Sequence, residues 1–287
     1  MLCNRETTDS AKEEFGTLLA LTQHFEKLGH QYTVPTPFAI LPDLSGLLMS
    51  RVDGRRLDKI LWPAFSFNKE QRTDAIEGVR DAGVWLANLQ KNSYHPSPHS
   101  LSVLELKSEL DASLGLCKGL LGPGVIDAIA QWSKKEFEAS SRLNCDCVPI
   151  CPSFVPHHVF ISEGRTSVVD LERQDCGWPG IDLASFLVYA EMHGSMQQQL
   201  TINEICDNFL AAYASEIEFG PCHRLSLEAN YIMNLLELFR PLQRPETANS
   251  ERRSWIETHY ARWKARSARH KLLDRTRTRT WKSIISE

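Results

Sequence analysis

A chain of 287 residues, 42% hydrophobic and 24% charged, can bury a core large enough for one domain or for two lobes around a cleft. No run approaches the ~18 consecutive apolar residues of a membrane span, and Met-Leu-Cys-Asn-Arg-Glu-Thr-Thr at the start lacks a secretory core. A cytoplasmic protein is therefore expected, its eight cysteines reduced and too sparse for a disulfide scaffold.

Ser10 can cap a helix running to about His30, with Phe15, Leu18, Leu19, Leu21, Phe25 and Leu28 as its apolar stripe. Val34 to Leu41 and Leu47 to Val52 read as strands, with Pro42, Asp43 and Gly46 in the turn between them. Asp53-Gly54 then breaks the chain before the mixed segment Arg55 to Leu61. Residues 1–54 thus form a small first lobe ending in a Gly-marked crossover.

Residues 55–250 are mostly helical in pattern. Asn68 with Gln71 has the spacing of a capping box and opens a helix to about Gln90, buried through Ile76, Val79, Gly83, Leu86 and Leu89. Ser102 with Glu105 repeats the device for a helix ending near Gly122-Pro123-Gly124, and another runs from Val125 to about Ser140. The pattern then changes. Val148 to Ile150, His158 to Ile161 and Thr166 to Leu171 are β-rich runs, with Glu163-Gly164 suited to the turn between the last two. Helical pattern resumes at Ile181 to Ala190, Ile202 to Ala214 and Leu225 to Phe239. Residues 251–287 form a basic tail. Eleven Lys or Arg against four acids give it +7, which leaves −11 on the rest of a chain of net charge −4. Such a tail is either a solvated terminal helix, with Trp255, Tyr260 and Trp263 packed down, or a weak contact for polyanions or a membrane surface.

The chemistry is concentrated on the loop and hairpin inside the helical lobe. Cys151-Pro152-Ser153-Phe154-Val155-Pro156-His157-His158-Val159-Phe160, followed by Val168-Val169-Asp170-Leu171-Glu172, resembles the aminoglycoside-phosphotransferase and choline-kinase-like family. The family loop reads His-Gly-Asp-Phe-x-Pro-x-Asn-Val-Leu, and its hairpin ends Ile-Asp-Phe-Glu. Gly180-Ile181-Asp182-Leu183-Ala184 resembles the Asp-Leu-Ala that opens the next helix, and Leu47-Leu48-Met49-Ser50-Arg51-Val52-Asp53-Gly54 resembles the hinge, usually Leu-Leu-Met-Glu-x-x-x-Gly. Val34-Pro35-Thr36-Pro37 matches the Val-Pro-x-Pro run before it. The resemblance runs in order from about Glu13 to Phe239. It implies an α+β, protein-kinase-like fold of two lobes, the first truncated and the second mostly helical. It also implies ATP and Mg²⁺ as cofactors and a small-molecule hydroxyl as substrate.

Phosphoryl transfer needs positioning and charge neutralisation around a loose transition state, and the family residues supply both. Carried over position by position, the catalytic aspartate falls on Ser153, a neutral hydroxyl that cannot serve as that base near neutral pH. The magnesium-binding asparagine falls on His158, whereas Mg²⁺ prefers oxygen. Asp170 matches the metal-binding aspartate, and Asp182 the residue that braces the loop. Glu14 matches the glutamate of the first-lobe helix, and Met49 lies in the hinge on the nucleotide side. Three strands of ~5–6 residues each do not fit in the ten or so residues before that helix. The phosphate-covering turn and the strand lysine are therefore expected to be missing. Lys12 begins the helix itself and is no substitute, and a start further upstream would restore the lysine but not the aspartate. The lipopolysaccharide-core sugar kinases also resemble this segment: they carry histidine at the asparagine position, and their hairpin ends Val-Ile-Asp-Leu-His-Arg, close to Val168 to Arg173.

Plainer readings stand beside these. Asp170 also suits a strand-end aspartate capping a turn. Ser153 with His157 or His158 could form a nucleophile and base, although no Gly-x-Ser-x-Gly elbow surrounds it. Cys145, Cys147 and Cys151 beside the two histidines lack the two-residue gap of structural zinc sites, which favours buried free thiols. The four unmatched elements point to a pseudokinase that binds a ligand or protein partner in the old cleft. The alternative is an active ATP-dependent small-molecule or sugar kinase with a non-standard site.

Overall fold

Residues 5–29, 31–42, 46–64, 69–91, 100–117, 123–151, 153–171, 175–193 and 199–239 are described by the computed structural model. Its helices and strands follow the apolar spacing closely at the N-terminus. Helix α1 (Arg5–Lys27) buries Leu18, Leu21 and Phe25, whereas Leu19 and Leu28 of the same stripe stay exposed. It packs against β1 (Tyr32–Thr33) and an antiparallel hairpin of β2 (Pro37–Leu41) and β3 (Gly46–Met49). The first of these strands is shorter than its β-rich run. Pro35 and Pro37 have no N–H for a ladder, and Thr36 instead pairs with the hinge: its amide donates to Ser50 Oγ at 2.8 Å, and the Ser50 amide donates to its carbonyl at 2.8 Å.

The segment after the hinge resolves into β4 (Arg55–Arg56) and α2 (Leu57–Ala64). Gly54 makes the junction possible. Its φ is +116°, and a Cβ there would stand 2.6 Å from the Ile161 carbonyl oxygen, so both conformation and space require glycine. Helix α3 (Lys69–Gln90) is the spine of the molecule, with Val79, Trp85, Leu86 and Leu89 fully buried. Gly83 lets it approach α7 (Gln199–Glu216), since a Cβ there would lie 2.5 Å from the Phe209 carbonyl.

Helix α4 (Val103–Leu116) corrects two expectations. It stops at Leu116, short of Gly122, and its N-cap Ser102 makes no side-chain cap bond. The Ser102 carbonyl accepts the Glu105 and Leu106 amides instead, so main chain alone closes the first turn. After α5 (Pro123–Ala139), short strands return. β5 (Ser100–Leu101) pairs with β6 (Cys145–Asp146), and β7 (Val148–Ile150) pairs with β10 (Asp175–Gly177). Between β7 and β10 lie a 3₁₀ turn, Pro156–His158, and the hairpin of β8 (Val159–Ser162) and β9 (Arg165–Val168). That hairpin is the centre of a four-stranded sheet in the order β1-β9-β8-β4, with β1 parallel to β9. Helices α6 (Gly180–His193) and α8 (Pro221–Phe239) follow.

The cysteines overturn the expectation of reduced thiols. Cys145 pairs with Cys222 and Cys147 with Cys176, at Cα separations of 5.8 and 5.4 Å, both ordinary for disulfides. The β7–β10 ladder sets Cys176 opposite Pro149 and so draws it to Cys147. Among the described residues, Cys117, Cys151 and Cys206 are buried and lie outside these two bridges. The chain divides into two compact units, Met1–Leu236 and Glu237–Glu287. The expected helical tail, with Trp255, Tyr260 and Trp263, lies outside the described residues. Among those described, no helix is long and apolar enough to cross a membrane.

Candidate functional site

The loop between β7 and β8 is anchored from behind by an aromatic column. Phe154, fully buried, lies 5.7 Å from both Trp85 of α3 and Phe186 of α6, and 6.3 Å from Phe209 of α7. Phe25 of α1 stacks on Trp85 at 5.1 Å. One side chain on the loop thus touches the core that three helices share.

A polar chain supports the loop from the same side. Asp182, on the first turn of α6 and wholly buried, accepts the Cys151 amide at 3.0 Å and Gln90 Nε2 at 3.1 Å. Gln90 also donates to the Pro179 carbonyl, and its own oxygen accepts the Tyr213 hydroxyl. Burial pushes the Asp182 carboxyl up to about 7, against the two N–H donors, which pull it down. The start of α6 is fixed from the far side by Ser226, whose Oγ accepts the Gly180 amide at 3.0 Å. A Cβ at Gly180 would stand 2.1 Å from the Leu227 nitrogen, so α8 presses directly on this turn.

On the open side the loop meets Asp170. Ser153 Oγ donates to the Asp170 main-chain carbonyl at 2.9 Å. The Nδ1 of His158 lies 2.8 Å from the Ser153 carbonyl and 3.2 Å from Asp170 Oδ2. Both neighbours are acceptors, so Nδ1 carries the hydrogen. The His158 carbonyl in turn accepts the Val169 amide at 3.0 Å. Asp170 itself has φ +63°, the one non-glycine residue among those described with positive φ, a conformation that costs L-residues about 1–2 kcal/mol. The strand-end geometry and the loop contacts thus meet at one residue.

Four of the sequence candidates, Ser153, His158, Asp170 and Asp182, are brought onto one hydrogen-bonded loop. Glu14, half-buried on α1, and Met49, at the end of β3 opposite Pro37, belong to the neighbouring first layer. The nucleophile reading of Ser153 has no geometry behind it, because the His158 imidazole meets the serine carbonyl and the hydroxyl turns to Asp170. The zinc reading falls with the disulfides, and among the described residues no group of three His, Cys, Asp or Glu could hold a metal. Cys151 sits under the loop, and burial together with the Asp182 and Asp170 charges pushes its thiol pKa far up, which makes it inert.

Sequence reasoning missed a second cluster. Arg56, ending β4, holds Asp58 in a two-pronged ion pair at 3.0 and 2.6 Å. Burial pulls the Asp58 pKa up, but the arginine outweighs it and the net direction is down. His157 lies beside this pair, its ring 3.9 Å from His158 and 5.0 Å from Tyr189. Burial, then the neighbouring His158, lowers its pKa. The one available signal was the exposed Arg-Arg-x-Asp run after Gly54.

The residues present do not fit Mg²⁺. The ion wants oxygen donors in near-octahedral array, and the side of Asp170 facing the loop is met by the His158 ring, whose Nδ1 lies 3.2 Å from Oδ2 and carries its hydrogen toward the Ser153 carbonyl.

No protein-family model and no curated protein matches the sequence. Solved structures do. A choline/ethanolamine kinase family protein from Mesorhizobium loti is similar over 88% of this chain and 78% of its own, at 14% identity and TM-score 0.55. Glucosamine kinase in one crystal form is similar over 80% of this chain at 13% identity and TM-score 0.54, and in another over 76% at 11% and 0.50. The likeness spans 65% and 64% of the glucosamine kinase chain, under two thirds of its length. The kinase-like fold expected from the loop and hairpin motifs is the fold this chain has.

Proposed function

We propose that this protein is a pseudokinase. On this reading a small first lobe, Met1 to Gly54, and a helical second lobe enclose a former catalytic cleft that holds a ligand or a protein partner. One observation carries it. At the position of the catalytic aspartate stands Ser153, and its hydroxyl is committed to the Asp170 main chain. A neutral hydroxyl does not take up a substrate proton near neutral pH, and its own hydrogen is already given to the Asp170 carbonyl.

A second reading, an active small-molecule phosphotransferase, draws on Asp170. Its left-handed backbone is a local cost of the kind that persists at working sites. Under this reading the substrate is a small-molecule hydroxyl and the phosphoryl donor ATP. The basic tail, 251–287, remains a candidate contact for polyanions on its charge alone. The cytoplasmic location inferred from the N-terminus has to accommodate two disulfides, which persist in oxidising compartments.

Thermal shift and single-turnover transfer test the reading together. Millimolar Mg-ATP is expected to leave the melting temperature unchanged, whereas ligand at a hundred times its dissociation constant would add ~2.7 kcal/mol. Radiolabelled ATP with aminoglycosides, sugars and choline-like alcohols is expected to give background transfer. Turnover by the unmodified protein that Asp170→Ala removes would overturn the proposal.

A further inference from the structure

We infer that His158 takes the place of the metal ion: the loop and Asp170 are stapled to each other by protein groups, and the resting site excludes divalent cations. This rests on the same correspondence of Ser153, His158 and Asp170 that underlies the proposed function, but not on whether phosphoryl transfer occurs.

Two hydrogen bonds and one close contact make the staple. Ser153 Oγ donates to the Asp170 carbonyl at 2.9 Å and the Val169 amide to the His158 carbonyl at 3.0 Å, while His158 Nδ1 lies 3.2 Å from Asp170 Oδ2. The close contact is decisive for a cation. Because Nδ1 also faces the Ser153 carbonyl at 2.8 Å, it bears hydrogen and offers no lone pair toward Asp170. An ion binding Oδ2 from the loop side has to displace that N–H and leave the Ser153 carbonyl without its donor. Turning the ring to present its other nitrogen as a ligand breaks the same bond. The imidazole is only 18% exposed and its ring lies 3.9 Å from that of His157, so such a turn has little room. An asparagine at 158 would instead present an amide oxygen, the donor that hard cations accept.

Mn²⁺ binding, read by electron paramagnetic resonance on the full chain without nucleotide, tests this. The unmodified protein is expected to leave Mn²⁺ free. His158→Asn is expected to gain binding by about 10–100-fold, the usual scale for a group flanking a metal ligand, and Asp170→Asn in that background to lose it again. Binding by the unmodified protein that Asp170→Asn abolishes overturns the inference, as does a folded His158→Asn that gains nothing. Should the variant not fold, ¹⁵N-histidine spectra of the unmodified chain decide. A protonated Nδ1 at His158, unmoved by millimolar Mg²⁺, supports the staple, and a shift that Asp170→Asn removes sinks it. ATP turnover by the unmodified chain with no nucleotide-free metal binding would refute the pseudokinase reading and leave the staple standing.

Discussion

The two sides of the loop at 151–158 are held in different ways. Behind it, Phe154 stacks into the helical core, and Asp182, Gln90 and Tyr213 form a buried chain that ends on the Cys151 amide. In front stand a serine and a histidine, Ser153 and His158, both turned onto Asp170. The frame's residues bind one another and the core, so changing one leaves others unsatisfied or unpacked. The front residues are held by fewer contacts, the Ser153 hydroxyl on the Asp170 carbonyl and the His158 ring between the Ser153 carbonyl and Asp170. The difference between the sides is one of coupling.

The comparison breaks most visibly at the frame. Opening the Cys145–Cys222 bridge, which spans 77 residues, is expected to cost roughly 4–5 kcal/mol by loop-closure entropy. Guanidinium melts of Cys222→Ser against the parent measure it, and an unchanged midpoint would mean that the bridge holds nothing. Phe154→Ala follows at about 3–5 kcal/mol, the usual cost of emptying a buried aromatic site, visible in the same melts.

Asp182 sharpens the comparison through pH. Folding raises its pKa from 3.8 to about 7, so the folded state binds its proton more tightly than the unfolded chain does. This carboxyl therefore costs nothing below about pH 4 and progressively more as the pH rises through about 7. The total is on the order of 4 kcal/mol. Asp182→Asn, which cannot ionise, is expected to lose stability less steeply between pH 4.5 and 7.5. Urea melts at the two ends compare the slopes, and parallel slopes would contradict a raised pKa.

The smallest effect belongs to the front. Ser153→Asp is expected to change stability by less than about 1 kcal/mol, the range of substitutions outside a packed core, and to leave ATP turnover at background. Transfer appearing only in that variant would show that a missing base was the sole defect, since a general base contributes ~10²–10⁴ in rate.

Much of the frame was legible in the sequence. Val148 to Ile150 forms the strand its β-rich run announced, and Asp182 lies where the Gly-Ile-Asp-Leu-Ala run set it, at the start of α6. Local spacing carried both. The front was only half legible. That Ser153 and His158 depart from the motif is written in the chain, but where their polar atoms turn depends on the left-handed backbone of Asp170, which no local pattern announces. The disulfides were hidden for another reason: partners 77 and 29 residues apart meet through the β7–β10 ladder and the docking of α8, neither of which spacing reveals. Ser102 shows the opposite error, a motif present in sequence whose side-chain bond the helix does not make.

The parallel pairing of β1 with β9 also sets an order of events during synthesis. Thr33 Oγ1 meets Ser167 Oγ at 2.6 Å across a separation of 134 residues. At about 5–20 residues per second, strand β1 waits roughly 7–27 s on the ribosome for its neighbour to be made. Within that interval α1 has the β2–β3 hairpin to pack against, but the Phe25 stack needs Trp85 and the β1 edge needs β9, so the contacts that tie this layer to the rest of the molecule are secured in that order.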